Sequence, residues 1–431
     1  MELIGIIILV VSFVTFLAIG VPIAYSIGLS ASITLLVNIF PLPAFTTMAQ
    51  RVSTGLDSFA LLAIPFFVLA GQLMNRGGIA MKLIDFAKVL VGRFPGGLAF
   101  VNILANMLFG AISGSAAASA SAIGSFMTPK MEEEGYDKSY STAVNITSAT
   151  TGLSIPPSNV LIVYSLAAGG LSIGALFIAG YVPGILTGLG LAAVAAAIAY
   201  RRNYPLAEKV GFRYSVIKFF DAIPSLGMII VVIGGIIAGI FTATEAAAIA
   251  VVYALILSFI YRQISIKDLP DILLRSVITS TIVLLLVACS IGLSWVMSYQ
   301  NIPQGVSEAL LALSENKLVI LIIINLLLLI VGVFMDLTPA VLIFTPIFLP
   351  IVTNMGVDPI HFGIIMVLNL SIGLCTPPVG TLLFVGCSIS KIGIEKVIRP
   401  LLPMYAVMIF VLLLITYFPE LTLWLPRLFG F

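Results

Sequence analysis

Gly152-Leu153-Ser154-Ile155-Pro156-Pro157-Ser158-Asn159 returns 221 positions later as Gly373-Leu374-Cys375-Thr376-Pro377-Pro378-Val379-Gly380. Each copy lies inside an apolar run, where backbone polar groups have no water to bond and must be satisfied within their own helix. Two adjacent prolines remove two N–H donors and clash with the preceding turn, so each helix breaks there. The break frees carbonyls around Gly152 to Ile155 and around Gly373 to Thr376. It also leaves the following half-helix with a bare, electropositive start. Freed carbonyls with Ser or Thr hydroxyls, such as Ser154, suit a hard cation, and a half-helix start suits an anion. One such break reads equally well as a kink satisfied by neighbouring helices. Two related breaks point to a site.

The offset extends outward from these stretches. It pairs Pro129 with Pro350, Gly135 with Gly356, and Asp137 with Asp358. Chance matches between apolar segments are Leu, Ile, Val and Ala, whereas these residue types have positional meaning. The chain reads as two related halves, 1–200 and 222–431. A basic cytoplasmic linker at 201–221, running from Arg201 to Lys218, joins them.

Composition sets the class. Of 431 residues, 61% are hydrophobic and 9% charged, with mean hydropathy +1.22. A soluble domain carries roughly 25% charged residues, so this chain lacks the charge to cover a water-facing surface. That excludes a soluble enzyme, a nucleic-acid binder and a disordered tail. The formal net charge of +2 implies no polyanionic partner. At about 20 residues per span the chain is an all-α polytopic membrane protein with the lipid bilayer around it. The first run holds Glu2, has no basic n-region and outlasts a signal peptide, so it is expected to remain as a span. Cys289, Cys375 and Cys387 show no metal spacing and read as small buried side chains.

Charge orients the halves. Cytoplasmic loops collect Lys and Arg. Segment 75–97 holds Arg76, Lys82, Lys88 and Arg93, while its counterpart 296–318 holds only Lys317. Segment 41–56 holds Arg51 alone, against Arg262, Lys267 and Arg275 in 262–276. Lys130 and Lys138 flank a loop whose counterpart has no basic residue, and the loop after the second double proline carries Lys391, Lys396 and Arg399. Rich and poor members swap at every pair, so the halves read as inverted repeats, the arrangement of secondary transporters.

The resulting topology places both termini outside. Spans are expected at 3–20, 22–40, 57–74, 140–165 and 172–200, then at 223–240, 244–261, 277–299, 360–386 and 401–425. The stretches 98–127 and 318–351 read as re-entrant hairpins, giving about ten transmembrane helices plus two hairpins. Ile264 to Ser276 is amphipathic and reads as an interfacial helix.

The hairpin tips carry further polar residues. The first turns at Ser113-Gly114-Ser115, the second at Asp336-Leu337-Thr338. Small residues in lipid also serve close helix packing, the plain reading for Ala116 to Ser125. Asp336 lies within an apolar run of more than 30 residues. A carboxylate there is expensive and functional by default, although it can also cap the helix beginning at Leu337. Glu245 reads as a cap, His361 as a loop residue at a helix start, and Asn145 as the asparagine facing a cavity. There is no Walker-type phosphate loop and no nucleophile or metal constellation. The chain is expected not to be an enzyme, and an ion gradient or a partner must drive transport.

These residues resemble a known family. Gly20-Val21-Pro22, Ser113-Gly114-Ser115-Ala116, Thr151 to Ser158, Thr242-Ala243-Thr244-Glu245-Ala246, Met335-Asp336 and Gly373 to Gly380 are similar to the large membrane subunit of tripartite ATP-independent periplasmic (TRAP) transporters. This is the DctM-like family, of the SiaM and DctM type. The resemblance implies an elevator-type ion-transporter fold and Na⁺-coupled uptake of an organic acid across a bacterial inner membrane. The acid would be a C4-dicarboxylate, sialic acid or another sugar acid. It further implies a small four-helix membrane subunit, a periplasmic substrate-binding protein, and Na⁺ as coupling ion with no covalently bound cofactor. One Na⁺ site would involve Ser113, Ser115, Gly152, Ser154, Ile155 and Ser158. The other would involve Gly332, Asp336, Gly373, Thr376 and Val379. The substrate carboxylate would lie between the tips, among Ser115, Asn145, Pro156, Pro157, Asn159, Asp336, Thr338, Pro377, Pro378 and Gly380. A stand-alone sodium/carboxylate symporter of the divalent anion/sodium type is the nearest alternative, and a channel a more distant one.

Overall fold

A computed structural model describes residues 2–94, 96–204 and 212–431. Part of the expected linker 201–221 lies outside them. The chain opens with α1 (Glu2–Ala18), α2 (Ile23–Asn38) and α3 (Pro41–Gly55), and a 3-10 turn at Phe59–Leu62 leads into α4 (Ala63–Arg76) and α5 (Ile79–Val91). A hairpin follows, α6 (Gly97–Ser113) and α7 (Ala116–Glu133), turning at Gly114 with φ +61°. Next come α8 (Lys138–Ala149), α9 (Thr151–Ser154) and α10 (Asn159–Ala167), one helix broken at the prolines, and then α11 (Ile173–Arg202).

The second series is α12 (Phe212–Ile237), α13 (Ala243–Ile260), α14 (Leu269–Tyr299) and α15 (Ile302–Leu313). Its hairpin is α16 (Lys317–Phe334) and α17 (Leu337–Asn354), and its broken helix is α18 (Pro359–Gly373) and α19 (Thr381–Ser390). Finally come α20 (Ile394–Tyr417) and α21 (Glu420–Leu428). Both Pro-Pro bonds are cis.

Local chemistry explains several boundaries. Asp137 caps α8 by accepting the Tyr140 N–H at 2.9 Å, and Asp358, its counterpart at the same offset, caps α18 by accepting the Ile360 N–H at 2.8 Å. Each satisfies a donor the helix start leaves orphaned. Thr242 and Glu245 form a reciprocal capping box on α13. One expectation needs correction. Ile264 to Ser276 is not a separate interfacial helix, because most of it runs on into the following span as the 31-residue α14. Pro270 falls in the first turn, where its missing N–H is harmless, and neither Gly nor Pro follows until Gly292.

Among the described residues, eight helical stretches are long and apolar enough to cross a membrane, including both arms of the second hairpin. The two broken helices escape that length test because the prolines divide them.

Two packing groups emerge. In one, α4 packs on α13, while α14 packs on α2, α3 and α4. Here α5 is tied to α12 by Lys82–Asp221 at 3.2 Å and Lys218–Asp85 at 2.7 Å. In the other, the hairpins and broken helices exchange partners reciprocally: α7 packs on α19 and α17 on α10, α8 on α20 and α18 on α11. The groups meet where α4 touches α6 and α10, and where α14 touches α17. The crossed packing brings both hairpin tips and both breaks together.

Candidate functional site

Four helices begin around one cavity of about 260 Å³: α7 at Ser115, α10 at Asn159, α17 beside Asp336, and α19 at Thr381. The first backbone N–H groups of a helix have no partner in their own helix, and its dipole makes that end positive. Only α7 of the four carries a side-chain cap, with Ser115 Oγ accepting the Ala118 N–H at 3.3 Å. Helix ends reach the same space, with Ser113 closing α6, Leu153 in α9 and Leu374 just past α18. A small anion and a cation can thus share the neighbourhood, one on N–H groups and the other on carbonyls.

The first break is buried throughout. Ser154 and Ser158 are 1% and 0% exposed, and neither hydroxyl has a hydrogen-bond partner; Asn159 Oδ1 also has none. A buried polar group left unpaired costs about 1–3 kcal/mol, so these three oxygens are open to a ligand or an ordered water. All three are neutral, as a monovalent hard cation requires. Among the described residues no group of three His, Cys, Asp or Glu side chains is placed to hold a metal.

The second break is built differently. Its carbonyls each accept a bond: Gly373 from the Thr376 N–H at 2.9 Å, Leu374 from Leu382 at 3.0 Å, Thr376 from Gly380 at 3.1 Å, and Cys375 from the Tyr405 hydroxyl. Each keeps a second lone pair for a ligand. Val379, Pro378 and Asp336 are exposed. The first tip is covered instead, because a Cβ on Gly71 of α4 would lie 3.2 Å from the Ser113 carbonyl oxygen.

Glycines set the hairpin-to-break distance in both halves. A Cβ on Gly152 would lie 2.3 Å from the Gly110 Cα, and one on Gly373 would lie 2.4 Å from the Gly332 carbonyl carbon. Backbones this close leave no room for any side chain.

Of the expected residues, Ser113, Ser115, Asn159, Asp336 and Thr338 line the cavity. Gly152, Ser154, Ile155 and Ser158 form the first break, and Thr376 and Val379 the second with Gly373, on which Gly332 rests. Pro156, Pro157, Pro377, Pro378 and Gly380 shape the breaks without lining the cavity. Asp336 makes no standard N-cap hydrogen bond to α17, although its carboxylate interacts with the Leu337 N–H at the helix start.

Asn145 is a correction: it points into the protein, not the cavity. Its amide nitrogen donates to the Ala120 carbonyl at 2.9 Å, and its oxygen accepts from Asn106 Nδ2 at 3.1 Å. Asn106 also reaches Asn102 Oδ1 at 2.6 Å and accepts from Ser119 at 2.7 Å, fastening α6, α7 and α8 together. His361 is likewise no loop residue. It is 2% exposed in the first turn of α18, with Nδ1 2.8 Å from Thr422 Oγ1. Sequence reasoning missed Gln72 and Asn75 of α4 and Thr279 of α14, which complete the polar wall. Two amides at i, i+3 in an apolar helix were the available signal.

Comparison with known proteins adds the family. Residues 10–421 match the family described as tripartite ATP-independent periplasmic transporter, DctM component. The chain is 60% identical over 425 residues to YgiK of Salmonella typhimurium strain LT2, covering 99% of this chain and 98% of that one. It is 39% identical to the C4-dicarboxylate TRAP transporter large permease protein DctM of Rhodobacter capsulatus, covering 95% and 96%. It is 42% identical to the isethionate TRAP transporter permease protein DctMQ of Oleidesulfovibrio alaskensis, covering 94% of this chain and 64% of that longer one. Among solved structures, the YdaH transporter of Alcanivorax borkumensis superposes with a TM-score of 0.65 at 13% identity, over 87% and 88% of the two chains. That likeness shows the fold.

Proposed function

The chain belongs to the DctM-component family of tripartite ATP-independent periplasmic transporters, and from that premise we propose that it couples Na⁺ entry to uptake of an organic acid. It is the large permease subunit of such a system, a multi-pass membrane protein. The membrane is the bacterial inner membrane, with both termini on the periplasmic side. The substrate is a small carboxylate or related acid such as a C4-dicarboxylate, isethionate or a sugar acid. A periplasmic binding protein delivers it and a small membrane subunit completes the permease, consistent with a relative named DctMQ.

One observation carries this reading: helix starts and helix ends from both halves converge on a single cavity, and the first break next in sequence to its Leu153 and Asn159 holds buried hydroxyls that lack partners. The uncapped starts of α10, α17 and α19 would receive the acid's carboxylate. The Ser154 and Ser158 hydroxyls with the carbonyls of the first break would hold one Na⁺. The carbonyls of Gly373 and Thr376, with Asp336 at the second tip, would hold another. Each bound cation lowers the repulsion between the carboxylate and Asp336, so cation and acid bind better together than apart.

The hairpins, broken helices, α11, α20 and α21 form the moving body. It slides against α4 and α14 in an elevator motion, and the covered first tip and exposed second tip are the asymmetry such a motion would exchange. Uptake into proteoliposomes tests the reading. An acid that enters only with an inward Na⁺ gradient and its binding protein supports it. Na⁺-driven uptake with no binding protein moves the chain to the stand-alone symporters.

A further inference from the structure

A second cleft, of about 470 Å³, lies between α3 and α14 on one side and the end of α10 with α17 on the other. Arg51 is the only charged residue among the described residues that line it. No carboxylate pairs with Arg51 among the described residues. Its guanidinium lies over the Trp295 ring, 5.5 Å from the centroid. Stacking occupies the face of the guanidinium and leaves its edge N–H donors free, the geometry that grips a planar carboxylate. Ser290 of α14 lines the same cleft; it is 2% exposed and its hydroxyl has no hydrogen-bond partner. Ser294 and Ser298 continue the same face.

One face of α14 contributes to both the cleft and the central cavity. Thr279 and Val283 line the cavity, while Ser290, Ser294 and Ser298 line the cleft. Spacings of four and seven residues keep all five on one side of α14. From Val283 to Ser290 is about 10 Å along the axis, or two turns.

We propose that the Arg51 cleft is a second anion site, holding the carboxylate of the organic acid between the Arg51 guanidinium and the Ser290 hydroxyl before the acid passes along α14 to the central cavity. The proposal rests on the organic-acid reading above. A small molecule fits it better than a protein, because Ser290 is only 2% exposed. The volume also suits a small acid.

Trp295 supplies the probe. The chain has two tryptophans, and Trp424→Phe leaves Trp295 alone. The full chain in phospholipid nanodiscs is titrated with succinate, isethionate and N-acetylneuraminate, each against NaCl at equal ionic strength. A saturable change in Trp295 fluorescence is expected with at least one acid. Arg51→Gln should weaken it about tenfold, because a charge-assisted pair is lost. Ser290→Ala should weaken it less, and Asn159→Ala in the central cavity should leave it in place. Circular dichroism and gel-filtration profiles of each variant establish that it is folded. Three results overturn the site: no response to any acid, a response equal in Arg51→Gln, or a response to poly-L-glutamate alone, which would mark a protein-docking surface. A Trp295 response in a chain that takes up none of the acids would keep the site and sink the transport reading.

Discussion

Gly152 and Gly110 touch backbone to backbone, so that a Cβ added to either would fall within 2.6 Å of the other's Cα. This contact locks the first hairpin onto the first broken helix, and Gly332 against Gly373 does the same in the second half. Gly152→Ala should therefore destabilise the protein by about 1–3 kcal/mol through overpacking. Thermal unfolding in detergent measures this. Gly234→Ala in α12, where a Cβ meets nothing within 4 Å, should leave the midpoint unchanged or raise it.

The unpartnered hydroxyls of the first break make a separate prediction. Ser158→Ala and Ser154→Ala remove cation ligands while relieving buried polar groups, so the protein should stay folded. The Na⁺ concentration giving half-maximal uptake should rise several-fold. Asp336→Ala and Thr376→Val should weaken Na⁺-dependent uptake in the same way with insertion intact. Uptake measured against Na⁺ decides it, and unaltered Na⁺ dependence in all four variants would reject the site assignment.

Asn106 serves architecture instead. Its amide joins Asn102, Asn145 and Ser148, the last at 2.9 Å. Asn106→Leu should strand those partners, at about 1–3 kcal/mol for each group left unpaired. The expected readout is a lowered unfolding midpoint, with the Na⁺ dependence of the remaining uptake unchanged.

Much of this was legible from residues whose chemistry is local. Proline removes a donor wherever it sits, so Pro156-Pro157 and Pro377-Pro378 marked the breaks directly. The repeat offset paired Asp137 with Asp358, and the structure shows why: each caps the helix that follows it. What could not be read depends on neighbours distant in sequence. Asn145 looked suited to a cavity, yet Asn106, 39 residues away, claims it. Gly152 gave no hint that it faces Gly110. Arg51 appeared only as a lone charge, because the tryptophan beneath it lies on α14. The inequality of the two tips also escaped sequence, since it arises from the way α4 covers Ser113.

Asp137 adds a pH dependence outside the membrane-spanning segments. Partial burial raises its carboxyl pKa, but bonds from Ser139 and the Tyr140 N–H, with Arg202 nearby, outweigh that and hold it below the usual carboxylate value. A group whose folded pKa is depressed stabilises the protein above its unfolded value and loses that contribution as pH falls through the folded one. The cap should therefore be fully effective above about pH 4, the ordinary range for Asp, and fade in more acid solution. Asp137→Ala should cost about 0.5–2 kcal/mol at neutral pH, and the difference from the parent should shrink in acid. Unfolding midpoints of both proteins across that range provide the check.

The central claim is that a cation and an organic acid bind together where the hairpin tips meet the two breaks. Its most direct test is uptake of labelled succinate, isethionate and N-acetylneuraminate into proteoliposomes holding this chain, its small subunit and the binding protein. The account predicts that at least one acid accumulates under an inward Na⁺ gradient and does not when K⁺ replaces Na⁺. It also predicts that Ser158→Ala shifts the Na⁺ requirement upward. Accumulation that proceeds equally in K⁺ would contradict it.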